Sequence, residues 1–125
     1  MKPSILILCM IFCHIIDDYY LQGILASMKQ RSWWEKNAPK EIYRHDYIMA
    51  LIMHSISWSF MIMLPILINF GFNPPNAFII LWAMNSVIHG VIDDLKANKL
   101  KINLIQDQSI HLLQIFFTAI IILYC

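Results

Sequence analysis

Between Tyr47 and Ile92 the chain contains no aspartate, glutamate, lysine or arginine, the longest uncharged stretch among its 125 residues. A soluble domain places charge on about a quarter of its residues, because its surface faces water; here charged residues make up 14% and hydrophobic ones 59%. Such a run suits helices surrounded by lipid, where an apolar exterior is favourable and every backbone N–H and C=O is satisfied inside the helix. A crossing helix needs about 20 mostly apolar residues. The run supplies two, roughly 46–69 and 76–95, separated by "GFNPPN", a turn cluster that cannot continue a helix. Two more apolar segments flank it, roughly 4–26 and 103–125. Pro3 is well placed at a helix start. His14, Asp17 and Asp18 interrupt the first segment and no small-x-small cleavage site follows, so it does not read as a signal peptide.

Orientation follows from lysine and arginine in the short connections. Residues 27–45 carry Lys29, Arg31, Lys36, Lys40 and Arg44, and residues 96–102 carry Lys96, Lys99 and Lys101. Only Lys2 lies on the other side. The expectation is a single all-α domain over 1–125: a four-helix transmembrane bundle, up-down-up-down, with both termini extracytoplasmic and both charged loops cytoplasmic. That makes it a multi-pass protein of the inner (cytoplasmic) membrane. Trp33, Trp34 and Tyr43 seat the first loop in the interface, as a short amphipathic helix lying on the membrane. The bilayer is the expected partner, and homo-oligomerisation stays open. A net charge of +1 with no basic-aromatic motif argues against nucleic acid. Cys9, Cys13 and Cys125 follow neither metal-ligand nor disulfide spacing.

The few polar residues fall into stripes, since side chains three or four apart share a helix face. The first span aligns His14, Asp18 and Gln22, with Asp17 beside them. The second has His54, in line with Asp46, Ala50 and Trp58. The third aligns Asn85, His89, Asp93 and Lys96, and the fourth Asp107, His111, Gln114 and Thr118. Alternating directions bring the ionisable members of all four stripes to one level in the cytoplasmic half. A carboxylate inside a membrane helix costs roughly 2.5–3.5 kcal/mol on insertion scales, so such groups face the bundle interior. A divalent cation accommodates several carboxylates and neutral imidazoles at once. His14, Asp18, His54, His89, Asp93, Asp107 and His111 are the expected ligands of one or two ions. Zinc is the first choice, with manganese or iron as alternatives. Asp17, Gln22, Lys29, Asn85, Lys96 and Gln108 are expected around them, supporting ligands or meeting substrate. An interhelical hydrogen-bond network without metal, or a proton or ion pathway, would use the same residues. His45 reads as interfacial and Asp94 as solvated.

With these residues located, the pattern resembles that of a set of small bacterial and phage integral-membrane proteins known only as a domain of unknown function. Their pattern runs HxxxD-aromatic-x-LQ, a histidine in the second span, HxxxDxxK, then DQxxH. Here "HIIDDYYLQ" supplies His14, Asp18, Leu21 and Gln22, and "MHSISW" supplies His54. "HGVIDDLK" supplies His89, Asp93 and Lys96, and "DQSIH" supplies Asp107, Gln108 and His111. Tyr19 stands where family members tend to carry phenylalanine. The resemblance implies an intramembrane site but no activity. A looser likeness joins the ligand set to membrane-bound metal-dependent hydrolases, by analogy alone.

The functional expectation is a divalent-metal hydrolase acting on a lipid-linked or membrane-adjacent ester, phosphoester or amide at the cytoplasmic face. Coordination lowers the pKa of a water to about 7 and so generates a nucleophile. Asp18 or Asp107 would be the general base, and Lys96 or Lys29 would hold an anionic headgroup or phosphate at the rim. The alternative is a non-enzymatic membrane effector or partner protein whose His/Asp network is structural. A third reading, an ion or metal transporter, conflicts with outer halves that are almost wholly apolar apart from Thr118.

Overall fold

The computed structural model describes residues 1–124, so Cys125, the last residue of the fourth expected span, lies outside it. Helix α1 (Pro3–Ile16) has proline in its first turn, where a missing N–H is no loss. It continues into a π-helical turn, Asp17–Leu21, closed by the bond from the Gln22 N–H to the Asp17 carbonyl (3.1 Å). Two short helices follow, α2 (Leu25–Met28) and α3 (Arg31–Asn37), with a 3₁₀ turn at Glu41–Tyr43. Three long helices complete the chain: α4 (Asp46–Asn69), α5 (Ala77–Ala97) and α6 (Leu104–Tyr124).

Four helical segments are long and apolar enough to cross a membrane. The first ends at Leu21 rather than near 26, because Gly23 adopts φ +49°, a left-handed conformation that stops a helix. The third continues to Ala97. The expected interfacial helix corresponds to α3, where Trp34 donates its indole N–H to the Met28 carbonyl and stacks on Tyr43. Gly71 and Phe72, both at positive φ, turn the chain between α4 and α5.

Contacts along the helices fix their directions. The Met1 ammonium meets Asn69 at the end of α4, while Asp17 meets Ser57, so α1 and α4 run antiparallel. Asn85 meets Thr118 and Lys96 meets Asp107, so α5 and α6 do too. α1 also packs on α6, and α4 on α5, which closes a ring of four. One half of the interior is apolar, built from Leu6, Met10, Ile62, Ile66, Ile115 and Ile122. The other half is polar. Large apolar side chains such as Leu8, Phe12, Ile79 and Phe117 point outward, the inversion that a lipid solvent favours and water does not.

Candidate metal centre

The π turn explains the first pair of carboxylates. In a regular α-helix Asp17 and Asp18 would diverge by about 100°; the wider turn keeps both inside, at 1% and 7% exposure, while Tyr19, Tyr20 and Leu21 face out. Single π turns inside α-helices often mark functional sites. Asp17, which the sequence left between two faces, thus belongs to the interior and accepts a hydrogen bond from Ser57 (2.7 Å).

Four atoms from three chain segments converge next to it. His54 Nε2 lies 3.1 Å from His89 Nε2, 3.3 Å from Asp18 Oδ1 and 3.3 Å from Asp93 Oδ2. His89 Nε2 lies 3.9 Å from Asp18 Oδ1 and 3.7 Å from Asp93 Oδ2. Tetrahedral ligands at zinc-like bond lengths stand about 3.3–3.6 Å apart, so these separations bracket what such an ion requires. Behind His54, Asp17 Oδ2 lies 3.8 Å from Nδ1, on the side where a carboxylate orients a ligating imidazole.

A second group adjoins the first. His111 Nε2 stands 3.3 Å from Asp107 Oδ1 and 3.6 Å from Asp93 Oδ1. Asp93 therefore presents one oxygen to each group. His89 also reaches both, its Nδ1 lying 3.3 Å from His111 Nδ1.

Two hydrogen-bond relays determine which of these atoms are acceptors. The Gln114 amide nitrogen donates to the Asn85 carbonyl (3.3 Å) and side-chain oxygen (3.2 Å), and Asn85 in turn donates to Thr118 (2.8 Å). A backbone carbonyl can only accept, so Gln114 must turn its oxygen to His111 Nδ1 (3.1 Å). His111 then donates from Nδ1, and its Nε2 faces two carboxylate oxygens, as a lone pair when the ring is neutral and as a second N–H when it is an imidazolium. Neither His111 Nε2 nor Asp107 Oδ1 has a hydrogen-bond partner, and nor has Asp18 Oδ1. Buried polar atoms are nearly always paired. With neutral imidazoles these are acceptors crowded together without a donor, a set that a cation could satisfy.

The second relay starts at Trp58, whose indole N–H can only donate and does so to His14 Nδ1 (2.7 Å). His14 therefore donates from Nε2 to Gln108 Oε1 (3.0 Å). The Gln108 amide nitrogen then donates to Asp107 Oδ2 (3.0 Å) and Asp18 Oδ2 (3.4 Å). Both ring nitrogens of His14 are engaged. Expected from its sequence spacing as a ligand, it instead positions Gln108 and, through it, two carboxylates.

Both lysines expected at the rim turn inward. Lys29 Nζ lies 2.6 Å from Asp93 Oδ2 and is only 7% exposed; Lys96 Nζ lies 2.6 Å from Asp107 Oδ2. Their charge is spent on carboxylates rather than on an incoming anion. Asp17, Asp18, Asp93 and Asp107 are balanced by these two ammonium groups alone, which leaves two negative charges when the imidazoles are neutral. One divalent ion cancels them.

Of the remaining expected residues, Gln22 donates to the Asp18 carbonyl, and Asn85 acts through Gln114. Asp94 pairs with Lys99 (3.1 Å) near the helix end. Sequence reasoning placed Trp58 and Gln114 on the right stripes without giving them a role; i, i+3 spacing from His111 was the available signal for Gln114. Ser57 had none.

No protein-family model, curated protein or solved structure matches this chain. Fold and site alone define its class: an all-helical protein with four helices able to cross a membrane, around a buried His/Asp cluster able to hold a metal ion.

Proposed function

We propose that the protein is a metal-dependent hydrolase of the inner membrane, acting at the cytoplasmic face on a lipid-linked or membrane-adjacent ester, phosphoester or amide. Both termini lie outside and the lysine- and arginine-bearing segments 27–45 and 96–102 lie in the cytoplasm, by the charge asymmetry of the loops. The reading is in keeping with the resemblance to the bacterial and phage membrane family described above. The observation that carries it is the set of donor-less acceptors around His54, His89 and His111.

Asp18, His54, His89 and Asp93 would hold one ion, and Asp93, Asp107 and His111 a second, with zinc favoured by the mixed nitrogen and oxygen ligands. A divalent ion supplies Lewis acidity there, polarising a carbonyl or phosphoryl oxygen. The protein's share is orientation and proton handling. Trp58, His14 and Gln108 hold the Oδ2 atoms of Asp18 and Asp107 and aim each Oδ1 at the cluster; whichever of the two carboxylates is not spent on coordination would be the general base. Asp17 lies behind His54, 3.8 Å from its Nδ1, and Gln114 accepts from His111 Nδ1, which leaves Nε2 facing the carboxylates.

Elemental analysis of protein extracted in mild detergent tests this: it should contain stoichiometric metal, lost in His89→Ala. Metal-free wild-type protein that also fails to take up zinc in a titration would end the proposal. The second reading, a non-enzymatic effector stapled by the same network, draws on the cluster's burial and on its linking of all four long helices. An Asp18→Asn or Asp107→Asn variant that keeps its metal separates the two, since an enzyme loses turnover while a staple keeps its biological effect.

A further inference from the structure

Two grooves of similar size open on the outer surface at the level of the cluster, and they differ at the floor. One, of about 500 Å³, runs between α4 and α5 along Leu51, Ser55, Gly90 and Val91. Its hydroxyls are already spent, Ser55 on the Leu51 carbonyl and Ser86 on the Trp82 carbonyl, while the Trp82 indole N–H has no partner. The two helices come close there, since a Cβ at Gly90 would stand 2.8 Å from the Ser55 hydroxyl oxygen. The other, of about 470 Å³, lies between α1 with its π turn and α6; Ile11, Ile15, Tyr20 and Leu112 form its walls and His14 and Gln108 its floor. His14 and Gln108 contact the His/Asp cluster directly, whereas none of the cluster's residues lines the first groove. Gln108 faces the groove on one side and, on the other, donates to Asp107 and Asp18. Tyr19 and Tyr20 stand exposed at the mouth, and tyrosine is enriched at the level of lipid headgroups.

We infer that the groove between α1 and α6 seats one acyl chain of a bilayer glycerolipid with its ester beside Gln108 and His14, so that lipid reaches the cluster sideways from the membrane. The inference rests on the membrane and metal reading above and narrows its substrate class to an acyl ester. Lipid is the solvent of this face, and the walls match a hydrocarbon chain. Rotation of Gln108 frees the His14 Nε2–H and the amide N–H groups, donors that an ester carbonyl accepts.

The test uses full-length protein in phosphatidylcholine nanodiscs containing a phosphatidylcholine with a diazirine next to the acyl carbonyl. After photolysis, peptides covering 11–20 and 108–112 should carry more label than those covering 48–56 and 82–91. The expected ratio is about fivefold, a preference of roughly 1 kcal/mol over bulk lipid. Leu112→Trp and, independently, Ile15→Trp fill the groove from exposed positions and should remove that excess while metal content stays unchanged. Equal labelling of the two grooves, or an excess that survives both substitutions, overturns the inference. Selective labelling of protein that binds no metal would uphold the lipid seat while ending the metal reading.

Discussion

The two halves of the bundle are held together by different physics. In the half containing Leu6, Met10, Ile62, Ile66, Ile115 and Ile122 the side chains touch only hydrocarbon. In the half containing Asp18, His54, His89, Asp93, Asp107 and His111 charged and polar side chains from different helices face one another, some in ion pairs such as Lys29–Asp93 and some with no hydrogen-bond partner. A membrane helix gains little by moving an apolar side chain from lipid to protein, because both are equally apolar; what remains is van der Waals packing. Packing of that kind tolerates a slide between helices. The polar half does not, since a one-turn slip would leave carboxylates buried without cations. The comparison teaches that the residues costliest to bury are those that specify the register, and the apolar half fills the space they define. Trp58 joins the halves, stacking on His89 at 4.1 Å between ring centroids and donating to His14.

The sharpest way to break this contrast is Lys29→Met. Removing one partner of a buried ion pair leaves Asp93 short of its cation, at a cost of about 3–5 kcal/mol. Thermal unfolding in nanodiscs should show that loss, with partial rescue by added zinc; a change under about 1 kcal/mol would mean that the polar half does not specify the bundle. Next comes Ile62→Ala in the apolar half. Such a truncation costs about 2–5 kcal/mol in a soluble core, where transfer and cavity effects add. In lipid the transfer part vanishes, so about 1–2 kcal/mol is expected by the same assay. A cost equal to that of Lys29→Met would erase the distinction between the halves. Gly90→Ala sharpens it at the α4–α5 contact, where the new methyl meets Ser55 Oγ. A loss of about 1–2 kcal/mol is expected, and Ser55→Ala in the same chain should restore most of it, which a double-mutant cycle measures. The smallest effect belongs to the exposed pair Arg31–Glu35. Arg31→Ala should change stability by less than about 0.5 kcal/mol, and a larger loss would show that the loop helix contributes to the bundle.

Much of the fold was legible because hydropathy in lipid is a one-dimensional property. The bounds expected for α4 match those observed, and the stripe spacing put His54, His89, Asp93, Asp107 and His111 on faces that do meet. Three features were not legible. Asp17 enters the interior through a π turn, and helical-wheel geometry assumes the regular α turn that this segment abandons. Lys29 folds inward because α2 carries it back under the bundle to Asp93, a path that loop composition does not encode. His14 shares the spacing of a ligand, and only the positions of Trp58 and Gln108, remote in sequence, show that both its nitrogens are taken.

From the chain of residues alone follow the number of helices long and apolar enough to cross a membrane, the level at which the ionisable groups gather, and the kinds of donor atom available. These depend on composition and periodicity, which read locally. Tertiary structure decided which nitrogens of His14 and His111 donate, which carboxylate stands between the two groups, and where the lysines spend their charge. Those outcomes depend on hydrogen bonds a few ångströms long between helices far apart in sequence, and their direction exists only once the helices are packed.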